Sequence, residues 1–327
     1  MAEWRQRCIW RLTTNQYSGK VGRLTHTSGT AHLIIWCDHR PLEQMVEMTS
    51  QTMSFWKVLA LMSGLAILLP LIIDIFLPAI PAIAQSFQVN TGDIQITLAS
   101  LNLGAAIGQI LYGPLADRFG RRLVILTAMS IFTLTGFATV AAPNVEWLNI
   151  LRFFQGLTAA SGMIIIRAIV RDLYDGALAA KMLAYTFVTG SIMPILAPII
   201  GGNVTVWWGW EPNFYIIGAI GLLVVLSLWF WLDETGTKDH EAIRLGEMGR
   251  SFLTLVQSRV FITYAFAGVG PFAGLFAILT ALSSVLIEYM DVSPTDFGYL
   301  FSLIMVGNLT SSFIAGRLVS SIGGTRL

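Results

Sequence analysis

Two ionisable side chains stand inside long apolar stretches of the sequence: Asp74, seventeen positions beyond Lys57, and Arg152, within the apolar stretch 147–170. A charge at such depth in an apolar helix is expensive unless it is paired or used, and its characteristic uses are ion pathways and proton relays. A buried carboxylate can take up a proton and release it in turn. Asp74 lies seven residues before Pro81 and Arg152 five after Trp147, which puts them about 10 and 8 Å below one boundary at 1.5 Å per residue. Opposite charges at matched depth either couple to proton movement or form a static ion pair between two helices. Gln155 and Gly156 accompany Arg152 on its helix.

A second cluster, Gly113, Asp117, Gly120, Arg121 and Arg122, combines glycines that permit a tight turn with a carboxylate. Asp117 can pair with Arg121 or sit at a helix N-terminus, where the helix dipole favours an anion. A third group is Pro194, Pro198, Gly201 and Gly202. Proline removes a backbone hydrogen bond and kinks a helix, whereas glycine lets helices approach closely, so hinge and packing roles are both open. Met193, Tyr185, Phe187, Tyr264, Phe272 and Phe276 are candidates to line an apolar cavity, although lipid-facing or core packing is the favoured role for each. Arg167 and Glu288 are expected near membrane boundaries, facing water.

The elements that must position these groups are membrane spans. Of 327 residues, 55% are hydrophobic and 12% charged, the mean hydropathy is +0.69, and a soluble domain carries about twice as many charges. The apolar stretches reach the ~20 residues that a bilayer-crossing helix needs. This excludes a soluble enzyme, a nucleic-acid binder and a secreted disulfide scaffold; the formal net charge of +1 gives no polyanion signal. Eight spans are predicted at 56–80, 94–112, 123–142, 147–170, 178–204, 214–232, 261–287 and 297–319. Arginines and lysines cluster after spans two, four, six and eight, while the loops after spans one, three, five and seven contain neither and carry Asp93, Glu146, Glu211, Glu288, Asp291 and Asp296 instead. The positive-inside rule places both termini and the central loop in the cytoplasm. Trp147, Trp207, Trp208 and Trp210 are expected to form an aromatic belt at the other face.

Residues 1–52 differ in composition and hold Cys8, Cys37, His26, His32 and His39. Their spacing matches no zinc pattern, so no metal is expected. They read as a disordered or small extension or, preferably, as a start placed too early, with Met45, Met48 or Met53 the true first residue. The domain division is 1–52 extension, 53–232 six-helix bundle, 233–258 central loop and 259–327 two further helices. A shift of 203 positions superposes Gly104 on Gly307, Gly113 on Gly316, Leu115 on Leu318 and Gly120 on Gly323. It implies a six-helix repeat, as in transporters built from parallel repeats, of which the chain holds eight helices out of twelve. No phosphate-cradling Gly-x-x-x-x-Gly-Lys-Ser/Thr loop, Gly-x-Ser-x-Gly elbow or His-Glu-x-x-His helix occurs, so an ATP-driven pump and an enzyme are disfavoured and no cofactor is expected.

Four segments carry a resemblance. Asp74-Ile-Phe-Leu-Pro78-Ala-Ile-Pro81, the cluster at 113–122, Leu151-Arg152-Phe-Phe-Gln155-Gly156 and Pro194-Ile-Leu-Ala-Pro198-Ile-Ile-Gly201-Gly202 are together similar to the major facilitator superfamily, specifically its bicyclomycin-resistance (Bcr/CflA) group of drug:proton antiporters. The last segment has Ala197 where the group's motif usually has glycine. The resemblance implies an all-α polytopic membrane protein of the major facilitator fold, with a complete first six-helix bundle and the first two helices of the second. It implies a monomer in the bacterial inner membrane that exports small drug-like compounds against protons by alternating access. It assigns proton coupling to Asp74 and Arg152, and a cytoplasmic gating latch to Gly113, Asp117, Gly120, Arg121 and Arg122. The alternative is a truncated, non-transporting remnant.

Overall fold

The computed structural model describes residues 53–236 and 253–322. The extension at 1–52, most of the central loop and the repeat's last positions (Gly323, Arg326) lie outside the described residues. Every regular element among the described residues is a helix, and seven helices are long and apolar enough to cross a membrane. The predicted seventh span is helix Arg259–Ser283 continued by a π-helical turn, Ser284–Tyr289. The acidic end of the bundle is the one with loops free of Lys and Arg; the other is the basic end.

Span one is not one helix. It runs Phe55–Ala66, Leu68–Asp74, a 3₁₀ turn Leu77–Ala79 and Ile80–Phe87. Pro70, Pro78 and Pro81 lack the N–H that an unbroken ladder needs. Span two, Thr91–Phe119, starts with a capping box in which the Asn90 N–H donates to Asp93 Oδ2. Span three is Arg121–Ala138 with a 3₁₀ turn Thr139–Ala141, and span four is Val145–Leu173. Span five is split into Gly176–Gly190 and Met193–Trp208, followed by span six, Glu211–Trp231, and span eight, Pro294–Ile322. Of the expected belt, Trp147, Trp207 and Trp208 are exposed, but Trp210 is buried between the Phe87 and Phe214 rings.

The repeat reaches the helix bounds. Adding 203 to Thr91 and Phe119 gives 294 and 322, the observed ends of span eight, and both helices have 29 residues.

Spans two and four pack backbone against backbone. A Cβ on Gly104 would collide with the Phe153 carbonyl, on Gly108 with that of Leu157, and on Gly156 with that of Leu101. Such small-residue contacts are what hold helices together where lipid is as apolar as the side chains. Spans three and six meet through Gly136 and Gly218 in the same way.

Spans seven and eight join the others at the acidic end. A Cβ on Gly202 would strike the Pro294 carbonyl and one on Gly298 the Pro198 carbonyl. Ser302 Oγ donates to the Ile195 carbonyl at 2.5 Å, Gln95 Nε2 donates to Ser284 Oγ at 2.8 Å, and the Thr91 hydroxyl donates to Glu288 at 2.9 Å. Glu288 is exposed, as expected, and also takes part in this seam. Toward the basic end the two spans part from the bundle, with Tyr264, Phe266 and Phe313 exposed.

A Gly156→Val substitution must force spans two and four apart, whereas a Cβ on Gly113 meets nothing within 4 Å. Overpacking costs about 1–3 kcal/mol even where side chains can yield, and a backbone carbonyl yields less. Gly156→Val should lower the thermal unfolding midpoint in detergent by many degrees while Gly113→Ala leaves it unchanged. Equal midpoints would refute this account of the packing.

Candidate functional site

The break in span one creates the site. The Ile75 N–H still reaches the Leu71 carbonyl, but the next turn is 3₁₀ and begins with the Ala79 N–H on Phe76. The Ile72 carbonyl accepts instead from Arg152 Nη2 of span four at 2.9 Å. Arg152 is fully buried. Its Nη1 donates to Gln155 Oε1 at 3.1 Å, Gln155 Nε2 donates to the Thr139 hydroxyl at 3.2 Å, and Thr139 donates on to the Thr135 carbonyl. The guanidinium lies 4.3 Å from the Phe76 ring centroid and 5.8 Å from that of Phe214. Cation–π attraction strengthens on desolvation, so two rings partly replace the water this cation lacks. Its Nε has no hydrogen-bond partner among the described residues.

Asp74 is two residues further along span one, yet its carboxylate makes no ion pair with Arg152, and no hydrogen bond or ion pair joins it to another described residue. It lines a cavity of about 490 Å³ instead. The depth match places both residues at the same break, but on different surroundings: Arg152 inside the wedge of spans one, three, four and six, Asp74 on the open side. The cavity's other polar residues include Gln109, Thr186, Ser191 and Asn308, and its apolar wall includes Leu69, Phe187, Phe276 and Met305. Phe187 and Phe276 thus line the cavity, the less favoured of the two roles expected for them. Met193, Tyr185 and Tyr264 are not among its lining residues, and the side chain of Phe272 is outside the described residues.

Arg167 also lines the cavity. Arg167 is exposed, in keeping with a residue near a membrane boundary, although span four extends three residues beyond the predicted one. The signal for it was its spacing of four from the small-to-medium face at Met163, which shares the lining.

The cluster at 113–122 is not a loop. The helix of span two continues through Gly113 and Pro114 to Phe119, and Gly120 alone, with φ +97°, makes the joint to span three. Asp117 pairs with Arg121 rather than capping a helix, and Arg121 Nε also reaches Asp172 Oδ2 at 3.3 Å. The exposed N-terminus of span three is capped by Glu234 from beyond span six, which accepts from the Arg121 N–H at 2.7 Å. Arg122 Nη2 donates to the Trp229 carbonyl at 2.9 Å. This basic-end cluster joins spans two, three, four and six, with Asp172 and Glu234 as partners that a contiguous motif could not name. Gly201 and Gly202 serve as contact points, against the Ile75 and Pro294 carbonyls, and Pro194 opens the second helix of span five directly after the break.

The model of the Major Facilitator Superfamily matches residues 62–327. The chain belongs to that superfamily. Superfamily relatives include the bicyclomycin resistance protein homolog of Haemophilus influenzae, 33% identical over 277 residues, covering 84% of this chain and 69% of the relative. Multidrug resistance protein D of Escherichia coli is 30% identical over 244 residues, covering 74% of this chain and 61% of the relative. The chain thus spans roughly two thirds of their length. A crystal structure of a bacterial homolog to the human lysosomal transporter Spinster, inward-facing and unoccupied, superposes with a TM-score of 0.62 at 20% identity, covering 85% of this chain and 65% of that one. At that identity the likeness carries the fold alone: an all-α, multi-pass major facilitator architecture.

Removing the Gln155 amide leaves Arg152 Nη1 without its acceptor in a buried site and takes from the Thr139 hydroxyl the donor it accepts from, while its own bond to the Thr135 carbonyl remains. Hydrogen bonds to charged groups contribute about 1.5–3 kcal/mol, so Gln155→Leu should destabilise by about 2 kcal/mol and Thr139→Val by less. Denaturant unfolding in detergent checks the order; a neutral Gln155→Leu contradicts the network.

Proposed function

We propose that this protein exports drug-like compounds across the bacterial inner membrane in exchange for protons, and that Asp74 is the group that carries the proton. The observation that supports it is the placement of Asp74: a carboxylate in an apolar span, without an ionic partner among the described residues, on the wall of a cavity of about 490 Å³. Cavities of about 300–1,000 Å³ suit drug-sized ligands. The names of the Haemophilus influenzae and Escherichia coli relatives point the same way.

In this reading the basic end faces the cytoplasm, because the lysines and arginines are confined to it, and the closed acidic end makes the arrangement inward-facing. A compound enters from the cytoplasm and displaces the proton on Asp74. Loss of the acidic-end seam at Gly202, Gly298 and Ser302 and closure of the basic end then expose the site outside, where a proton replaces the compound. Arg152 positions Asp74: its bond to the Ile72 carbonyl ties the break in span one to span four, so a change at the carboxylate is carried to a second helix. The cluster of Gly113, Asp117, Gly120, Arg121 and Arg122 makes the basic end of the first bundle one rigid body that closes as a unit. Pro194 and Pro198 supply the bend in span five. The protein works as a monomer in the lipid bilayer.

Proton-driven accumulation of norfloxacin in inverted vesicles tests this. Asp74→Asn should reduce it more than tenfold, to the level of vesicles lacking the protein, and Asp74→Glu should retain part of it. Undiminished proton-driven accumulation with Asp74→Asn overturns the assignment.

A further inference from the structure

Among the described residues the cavity is lined by two ionisable groups of opposite sign, Asp74 and Arg167, and its other described lining residues are neutral. Like Asp74, Arg167 makes no hydrogen bond or ion pair with another described residue. The two are far apart. Gly162 of span four faces Leu65 of span one, since a Cβ on that glycine would lie 3.2 Å from the Leu65 carbonyl oxygen. Asp74 is nine residues beyond Leu65 toward the acidic end, and Arg167 five beyond Gly162 toward the basic end. At 1.5 Å per residue their Cα atoms are about 21 Å apart along the bundle, and two side chains facing one cavity bring the charged heads to about 10–15 Å. Arg167 lies on the side of the cavity toward the basic end, where spans seven and eight part from the bundle.

A lone lipophilic cation is drawn to Asp74 but repelled by Arg167, and a lone anion meets the reverse; Asp74 is buried, where screening is weak, while Arg167 is the exposed pole. A molecule with a charge at each end meets its opposite at both poles. Its apolar middle then lies along Leu69, Phe187, Phe276 and Met305. A guanidinium fork accepts a carboxylate in bidentate geometry, and a carboxylate accepts from an ammonium. We infer that this is a two-pole site for elongated zwitterionic compounds, with Arg167 holding the acidic group of the ligand and Asp74 its amine. The inference rests on the drug-export reading and supplies the substrate class for the same cavity.

Binding to the purified 327-residue chain in lipid nanodiscs, corrected with empty nanodiscs, tests it with three probes. Norfloxacin is a zwitterion near neutral pH; tetraphenylphosphonium and tetraphenylborate are a cation and an anion of nearly one shape. Arg167→Gln should weaken norfloxacin at least tenfold and shift the phosphonium-to-borate affinity ratio toward phosphonium. Arg167→Lys should keep norfloxacin within a few-fold, and Asp74→Asn should shift the ratio toward borate. The thermal midpoint of each variant, expected to match the wild type because Arg167 faces open space, separates a lost pole from a lost fold. If Arg167→Gln moves neither norfloxacin nor the ratio, the second pole is refuted and drug export still stands. If the wild-type chain binds none of the three probes, both readings fall.

Discussion

The structure depends on a guanidinium that has no access to water. Arg152 can be fully buried only because another helix offers it a carbonyl, and a helix offers a carbonyl only where its own ladder is broken. Span one is broken at that level: Ile72 accepts from Arg152 while Pro78 and the 3₁₀ turn keep the helix from repairing itself. Each irregularity satisfies the other. A straight first span would leave Arg152 Nη2 without an acceptor, and an apolar residue at 152 would leave the Ile72 carbonyl orphaned in the bundle. The Gln155 to Thr139 relay and the Phe76 and Phe214 rings complete a cage drawn from four spans. Asp74 occupies its position because that cage fixes the break two residues away.

Fixing the cage requires that span four lie very close to its neighbours, and glycine does that. Gly156, adjacent to Gln155, meets the Leu101 carbonyl, and Gly104 and Gly108 receive the backbone of span four in turn. The helix that carries Arg152 is thus clamped along one side by backbone contact, where there is no side-chain freedom to absorb a shift. The cavity is lined by side chains of spans one, two, four, five, seven and eight, and spans seven and eight touch the bundle at the acidic end.

How much of this was legible follows from what a linear pattern can encode. Membrane spans are runs of apolar residues, so their number, order and approximate limits were readable, and charge spacing revealed Asp74 and Arg152 at one depth. Depth is one coordinate. Azimuth is another, and a broken helix scrambles it: the expected partnership of the two charges became a backbone bond from Arg152 to Ile72, with Asp74 turned to the cavity. The glycines at 113 and 120 read as permitting a tight turn, but the helix of span two continues through Gly113 and the turn is Gly120 alone. Arg167 is exposed as a boundary residue should be, but only the packed structure shows that the space it faces is the cavity. Asp172 and Glu234 were invisible as partners of Arg121 because they are 51 and 113 positions away in sequence.

The internal repeat shows which part of the design is scaffold. Spans two and eight share their length and their bounds at an offset of 203, so the repeated unit is the helix itself, with Gly104 and Gly113 in register with Gly307 and Gly316. The surroundings are not repeated. Gly104 receives the backbone of span four, whereas its counterpart Gly307 has nothing within 4 Å. The position equivalent to Asp74 is Ala277. A glycine costs helix stability wherever it is used, and a membrane carboxylate costs more; the first cost recurs in both copies and the second does not. Between spans one and two and their counterparts seven and eight, helix thinning therefore recurs while the carboxylate of Asp74 does not. That asymmetry gives the cavity a direction: a carboxylate and a guanidinium from spans one and four on one wall, and neutral side chains from spans seven and eight on the other.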